Sequence, residues 1–204
     1  MDNVRRIGIN GNKIADRVAK AFRVITLPPI AATAMLLVIY FKNSALIGGV
    51  GHLLLAVAFL GILPILAYPC QPFIKGFKDK GREGQRNLAM VFAFIGYLLG
   101  CVTALLTSAP SLLWILYLDY LLSGIGIILF NKVFHLRASG HGCGIAGPVA
   151  VLAYLGAWGA VAAGVLFYAA SFWASVRMKR HTWQQLIGGS LIPVVILIAL
   201  VLIF

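Results

Sequence analysis

The chain has 204 residues, of which 61% are hydrophobic and 11% charged, with 17 Lys+Arg against 5 Asp+Glu. A soluble domain carries about half apolar and about a quarter charged residues, so a water-soluble globular fold is excluded and lipid must be the solvent for most of the surface. The net charge of +12 therefore bears first on membrane topology, not on nucleic acid, for which no partnership is expected.

Residues 1–23 carry six basic residues, and Lys13, Arg17, Lys20 and Arg23 recur at helical spacing opposite Ile14, Val18, Phe22 and Ile25. This pattern fits a basic amphipathic helix in the headgroup layer, or a solvated tail that only sets orientation. No cleavable leader is expected, because the basic stretch is too long and no A-x-A site follows it. The remainder, 24–204, reads as one transmembrane domain without repeats. Apolar runs at 24–41, 45–67, 88–107 and 111–130 are each long enough to cross ~30 Å of hydrocarbon.

From Ala138 to Ala174 there is no Lys, Arg, Asp or Glu. One helix of that length would run ~55 Å, too long for a single crossing, so Gly156-Ala-Trp-Gly159 is expected to turn the chain between spans 141–157 and 160–176. A last run covers 186–204. The expectation is an all-α polytopic bundle of six to seven transmembrane helices, seven by this count. Seven crossings put 16 of the 17 cations on one face, with only Lys42 opposite. The positive-inside rule makes that face cytoplasmic, as in a plasma (inner) membrane.

Three features could carry chemistry. Cys70, Cys101 and Cys143 are not among them: their wide spacing suggests neither a metal site nor a disulfide framework. The first feature is Ser139-Gly140-His141-Gly142, at the entry to a span. Ser139 suits an N-cap, the glycines let an anion approach the backbone, and His141 stands in the first turn. A capped helix with an interfacial histidine is the plainer reading. The second is Arg177-Met-Lys-Arg-His181-Thr-Trp-Gln-Gln185, where His181 and Gln185 are four residues apart behind three cations. Gln185 would fix the tautomer and orientation of His181, as a nucleophilic histidine requires; an ordinary membrane-flanking cationic loop is the alternative. Together the two loops present paired histidines beside cations, a set suited to phosphoryl transfer.

The third feature is Asp119, the one acidic residue within a span. A straight helix would put it ~30 Å from the histidines. A structural role near the opposite surface, bonded to Tyr117, Tyr120 or His52, is preferred over a proton relay.

These motifs resemble the type 2 phosphatidic acid phosphatases, a superfamily of α-helical membrane lipid phosphatases and related haloperoxidases with motifs K-x6-R-P, P-S-G-H and S-R-x5-H-x3-D. Ala138-Ser139-Gly140-His141 is similar to the second motif without its proline. The resemblance implies His141 as general acid, Ser139 and Gly140 as phosphate-binding, and His181 as a nucleophile forming a phosphohistidine. Gln185 stands where the orienting aspartate would be, bringing an acceptor without a charge. Ser175 occupies the place of the third-motif arginine, so Arg177, Lys179 or Arg180 would take over its clamping. Lys75 and Arg82 match the first motif loosely, with Glu83 in place of proline and Arg86 as a competitor.

The resemblance covers roughly residues 70–200 and implies a metal-independent hydrolase with no cofactor. Its substrate would be a lipid phosphate monoester or diphosphate, phosphatidate-like or isoprenoid, held from the bilayer. A catalytically degenerate relative, acting as a lipid-binding or scaffold protein with cationic loops on anionic headgroups, is the competing expectation.

Overall fold

The computed structural model describes residues 15–19, 21–22 and 25–204, which are helical apart from short turns and contain no strand. Residues 15–19 and 21–22 are helical, with Arg17, Val18 and Phe22 exposed; the rest of the expected 1–23 helix lies outside the described residues.

Seven helices follow, one for each apolar run. They are α1 (Pro28–Lys42), α2 (Val50–Phe73), α3 (Gly81–Leu106), α4 (Ser111–Lys132), α5 (Gly140–Tyr154), α6 (Trp158–Arg177) and α7 (Trp183–Ile203). Five of them, α2, α3, α4, α6 and α7, are long and apolar enough to cross a membrane. The other two, α1 and α5, have 15 residues each, or ~22 Å of helix.

Several boundaries differ from the apolar runs for local reasons. Pro28 and Pro29 occupy the first turn of α1, where a missing N–H costs nothing, so α1 begins there. Residues 44–46 form a 3₁₀ turn, and α2 starts only after Gly48 and Gly49, both at positive φ. Within α2, Val57–Ile62 is a π-helical segment directly before Pro64, which has no N–H for the carbonyl of Leu60. The turn between α5 and α6 is made by Gly156 at φ 63°, while Gly159 already belongs to α6.

The order of crossings is fixed by bonds at the helix ends. At one end, Lys42 Nζ donates to the Leu155 carbonyl (2.6 Å), and His52 links the Gly48 carbonyl (3.0 Å) to Thr107 Oγ1 (2.9 Å). At the other, Thr26 Oγ1 meets His141 Nε2 (3.3 Å), and the Ser139 N–H donates to the Gln185 carbonyl (2.8 Å). Helices α1 and α5 therefore run parallel over the same depth. The loops after α2, α4 and α6, with the cations read from the sequence, share the Thr26 end.

Helix α5 is the hub, packed on α1, α4, α6 and α7. Without a hydrophobic drive between helices in lipid, close backbone approach decides such packing. A Cβ on Gly142 would stand 2.8 Å from the Leu186 carbonyl oxygen, and one on Gly189 would collide with the Ser139 backbone. These two glycines let the start of α5 press directly on α7. A buried apolar cluster including Met35, Leu36, Leu113, Leu116 and Val151 fills the half of the bundle nearer Lys42.

Candidate functional site

The Ser139 turn is built from three sides. Asn131, in the last turn of α4, brackets Ala138: its Oδ1 accepts from the Ala138 N–H (2.6 Å) and its Nδ2 donates to the Ala138 carbonyl (3.1 Å). The loop 133–139 is thereby closed on itself, with His135 at φ 54°. Ser139 is fully buried, and its Oγ accepts from the Gly142 N–H (3.2 Å), making it the N-cap of α5. Its hydroxyl is thus engaged in shaping the turn, while Gly140 is exposed and His141 is partly buried against Thr26.

The second loop meets this turn at Gln185. Thr182 and Gln185 form a reciprocal capping box at the start of α7, with the Gln185 N–H donating to Thr182 Oγ1 (3.4 Å) and the Thr182 N–H to Gln185 Oε1 (3.3 Å). The second bond settles the amide orientation, because a backbone N–H can only donate and so the atom facing it must be oxygen. That same oxygen lies 3.3 Å from His181 Nδ1. An amide oxygen only accepts, so Nδ1 carries the proton and, in the neutral ring, Nε2 carries the lone pair. The Gln185 backbone meanwhile holds Ser139. One residue thus orients His181 with its side chain and anchors the His141 turn with its carbonyl.

Arg177 ends α6 beside this junction in the chain. Its Nε donates to Asp16 Oδ1 (3.1 Å), and its guanidinium lies 6.0 Å from the centre of the Trp173 ring. Ser175 is fully buried, so the residue in the place of the third-motif arginine lies within the packed bundle. Lys179 and Arg180 are exposed.

Lys75 and Arg82 are exposed at the same end, Lys75 in a loop closed by Gln71 Nε2 donating to the carbonyls of Phe77 (2.6 Å) and Lys78 (3.2 Å), and Arg82 in the first turn of α3 just after it. That loop packs on α2 and α3. Among the described residues no hydrogen bond or ion pair joins it to the Ser139–Gln185 junction. The structure therefore brings together the His141 turn, Gln185 and His181, sets Arg177 at the neighbouring helix end, and leaves Lys75 and Arg82 on a separate hairpin.

Between α6 and α7 lies an open groove of about 830 Å³, lined mainly by Tyr168, Phe172, Trp173 and Trp183, with Arg177 at its cationic end. The two helices barely touch along it, although Tyr168 Oη and Ser190 Oγ meet at 2.7 Å.

Asp119 is not where the sequence suggested. It has no bond to Tyr117, Tyr120 or His52; its Oδ1 accepts from Ser123 Oγ (3.4 Å), one turn nearer the cationic end. A Cβ on Gly147 would lie 3.6 Å from Asp119 Oδ2, which places the carboxyl two helical turns below Gly140, or ~10 Å. The ~30 Å estimate failed because it extended α4 in a straight line, whereas the chain turns back at residues 133–139 and α5 descends alongside.

The Asp16 contact and the Asn131 bracket were not legible as site features. Asp16 is one acid among basic residues, and Asn131 declares itself only when Ala138 folds back on it. Among the described residues no group of His, Cys, Asp and Glu could hold a metal ion. Comparison with protein-family models, with curated proteins and with solved structures yields no match to this chain.

Proposed function

We propose that this chain is an integral membrane phosphatase that hydrolyses a lipid phosphate monoester or diphosphate through a phosphohistidine, without a metal. The observation that carries this reading is the Ser139–Gln185 junction, where one glutamine ties the His141 turn to an oriented His181 at the cationic end of the bundle. With Nδ1 protonated toward Gln185, His181 Nε2 is the atom that attacks phosphorus. The P–N bond forms as the bond to the leaving oxygen breaks, and His141 supplies the proton that oxygen needs. Water then attacks the phosphohistidine, giving its proton to His141 and releasing phosphate and His181.

Arg177 offsets charge on the equatorial oxygens, exchanging Asp16 for phosphate, and the exposed Gly140 lets the phosphate approach the start of α5. Ser139 acts by holding that turn. Lys75 and Arg82 would contribute only long-range attraction for an anionic headgroup. The α6–α7 groove, apolar and aromatic along its length with a guanidinium at its end, suits an acyl or prenyl tail whose headgroup lies at the interface.

The reading is tested by phosphate release from phosphatidate, lysophosphatidate, prenyl phosphate and prenyl diphosphate, using reconstituted native protein, His181→Ala and His141→Ala. Both substitutions should abolish release from whichever substrate is cut; rates unchanged by either would overturn the mechanism. The buried Ser175 and the Asp16–Arg177 pair favour a second reading, a non-catalytic lipid-binding protein. It predicts no release from any substrate, with retained binding to anionic vesicles. The sidedness proposed is cytoplasmic for the cationic end of an inner (plasma) membrane. Lys80→Cys, in a background lacking Cys70, Cys101 and Cys143, should resist impermeant thiol reagents in intact cells.

A further inference from the structure

A polar cavity inside the bundle takes no part in the chemistry proposed above. A cavity of about 130 Å³ lies among α3, α4, α5 and α7, and Asp119, Tyr120, Ser123 and Tyr97 contribute its polar side chains. Asp119 is 2% exposed, and its carboxyl receives a single bond, the long one from Ser123. A carboxyl offers about four acceptor positions, so most of its capacity is unmet. The Tyr120 hydroxyl is buried and has no partner. No Lys, Arg or His lines the cavity; its other titratable groups are Tyr97, Tyr120 and Cys143. A carboxyl at this depth ordinarily pairs with a cation or faces water, and the lining supplies no cation.

The cavity has room for solvent. Its volume is well above the ~15 Å³ that suffices for one water, and buried waters settle where two or more polar groups lack partners. It also has a route outward: the exposed Gly140, first residue of α5, lines the same cavity. Gly140 has no side chain to close this end, and a Cβ there would come no nearer than 3.9 Å to Ile127.

We propose that this cavity is a hydrated proton-exchange site, in which a short chain of waters past Gly140 joins the Asp119 carboxyl to the solution at the cationic end. In the exchange, the carboxyl O–H bond breaks and its proton passes to the adjacent water. That water releases a proton of its own along the chain, and the last one leaves to bulk. The carboxylate left behind accepts hydrogen bonds from Ser123 Oγ and from the water beside it. The site stands independently of the phosphatase reading, since it requires only the cavity, its polar lining and its mouth.

Infrared spectroscopy of the full chain in liposomes reads the exchange directly. The carboxylic-acid stretch of Asp119 is assigned by its loss in Asp119→Asn. Should that variant not fold, carbonyl-labelled aspartate in the native chain assigns it instead. On transfer to D₂O, or on stepping the buffer pH, the band should shift or titrate within seconds to minutes. Gly140→Leu, which places a side chain in the mouth, should slow that response at least ten-fold. An Asp119 band that stays unshifted for hours in D₂O and ignores buffer pH would overturn the proposal, as would a Gly140→Leu response as fast as the native one.

Discussion

The two ends of the bundle use the same residue types for different purposes. At the Lys42 end polar side chains close the turns: Lys42 satisfies Leu155, His52 uses both ring nitrogens to join Gly48 to Thr107, and Thr107 Oγ1 donates to Thr103 (2.7 Å). The cationic end uses a histidine differently. There, His181 is bonded through Nδ1 to an amide that itself is pinned by a helix cap. A histidine spanning two carbonyl- or hydroxyl-bearing turns acts as a staple. One whose Nδ1 faces an immobilised acceptor has a defined tautomer, which is what nucleophilic chemistry demands.

The sharpest way to break this contrast is to exchange the two histidines for alanine. On the mechanism proposed above, His181→Ala should reduce phosphate release by about 10³-fold or more, because the covalent step loses its nucleophile. His52→Ala should leave the rate within about two-fold and lower stability by about 1 kcal/mol, the ordinary worth of a hydrogen bond. Steady-state rates with thermal unfolding of the same preparations test the pair. A large loss of rate in His52→Ala would erase the distinction between the ends.

Gln185 sharpens it further, because the residue serves as both cap and orienter. Gln185→Leu removes the acceptor for His181 and for the Thr182 N–H, and should slow release by up to about 10²-fold, the scale of a misplaced reacting group. Gln185→Glu keeps an acceptor in both positions and adds the charge that the resembled motif carries. It should restore most of the lost rate and raise the pH at which His181 loses its second proton, since a neighbouring carboxylate favours the imidazolium. The pH–rate profile therefore separates orientation from mere capping: a Glu variant as slow as the Leu variant would leave Gln185 a structural residue only.

The unequal legibility of the chain has the same origin as this contrast. Seven apolar runs became seven helices because hydrocarbon leaves the backbone few alternatives to helix. Boundaries moved where proline or paired glycines intervened, as at Pro28 and Gly48–Gly49. Ser139 as a cap was visible from its place before a helix. The Gln185–His181 contact was visible because four residues make one helical turn. What stayed hidden depended on long-range return of the chain: the Ser139–Gln185 backbone bond, the Asp16–Arg177 pair and the depth of Asp119. Asp119 is the clearest case. Its distance along the chain from His141 is large, yet the reversal at 133–139 brings its carboxyl beside Gly147.

At the cationic end the close crossing itself can be broken. Gly189→Val would drive two methyl groups into the Ser139 backbone, and backbone cannot rotate away as a side chain can. The cost should be at least about 1–3 kcal/mol, the usual penalty for overpacking, and phosphate release should fall with it because the Ser139–Gln185 bond is lost. Gly188→Val, one residue earlier where a Cβ meets nothing, is the control. Equal destabilisation by the two would remove the crossing as the element that positions the site.

The smallest effect belongs to Lys42, the one Lys or Arg at the other end among the described residues. Its ammonium bonds the Leu155 carbonyl, an acceptor left over at the end of α5, and it also lies in the last turn of α1, where a positive charge complements the helix dipole. Both contributions are exposed and therefore weak. Lys42→Met keeps most of the apolar stem and should cost no more than about 1 kcal/mol, with the phosphate-release rate unchanged. Lys42→Glu makes the test more demanding, because it reverses the dipole interaction and places a carboxylate against a carbonyl. Thermal unfolding should then rank native above Met above Glu. A change in rate in either variant, without a change in stability, would mean that the end built from staples communicates with the end built around His181.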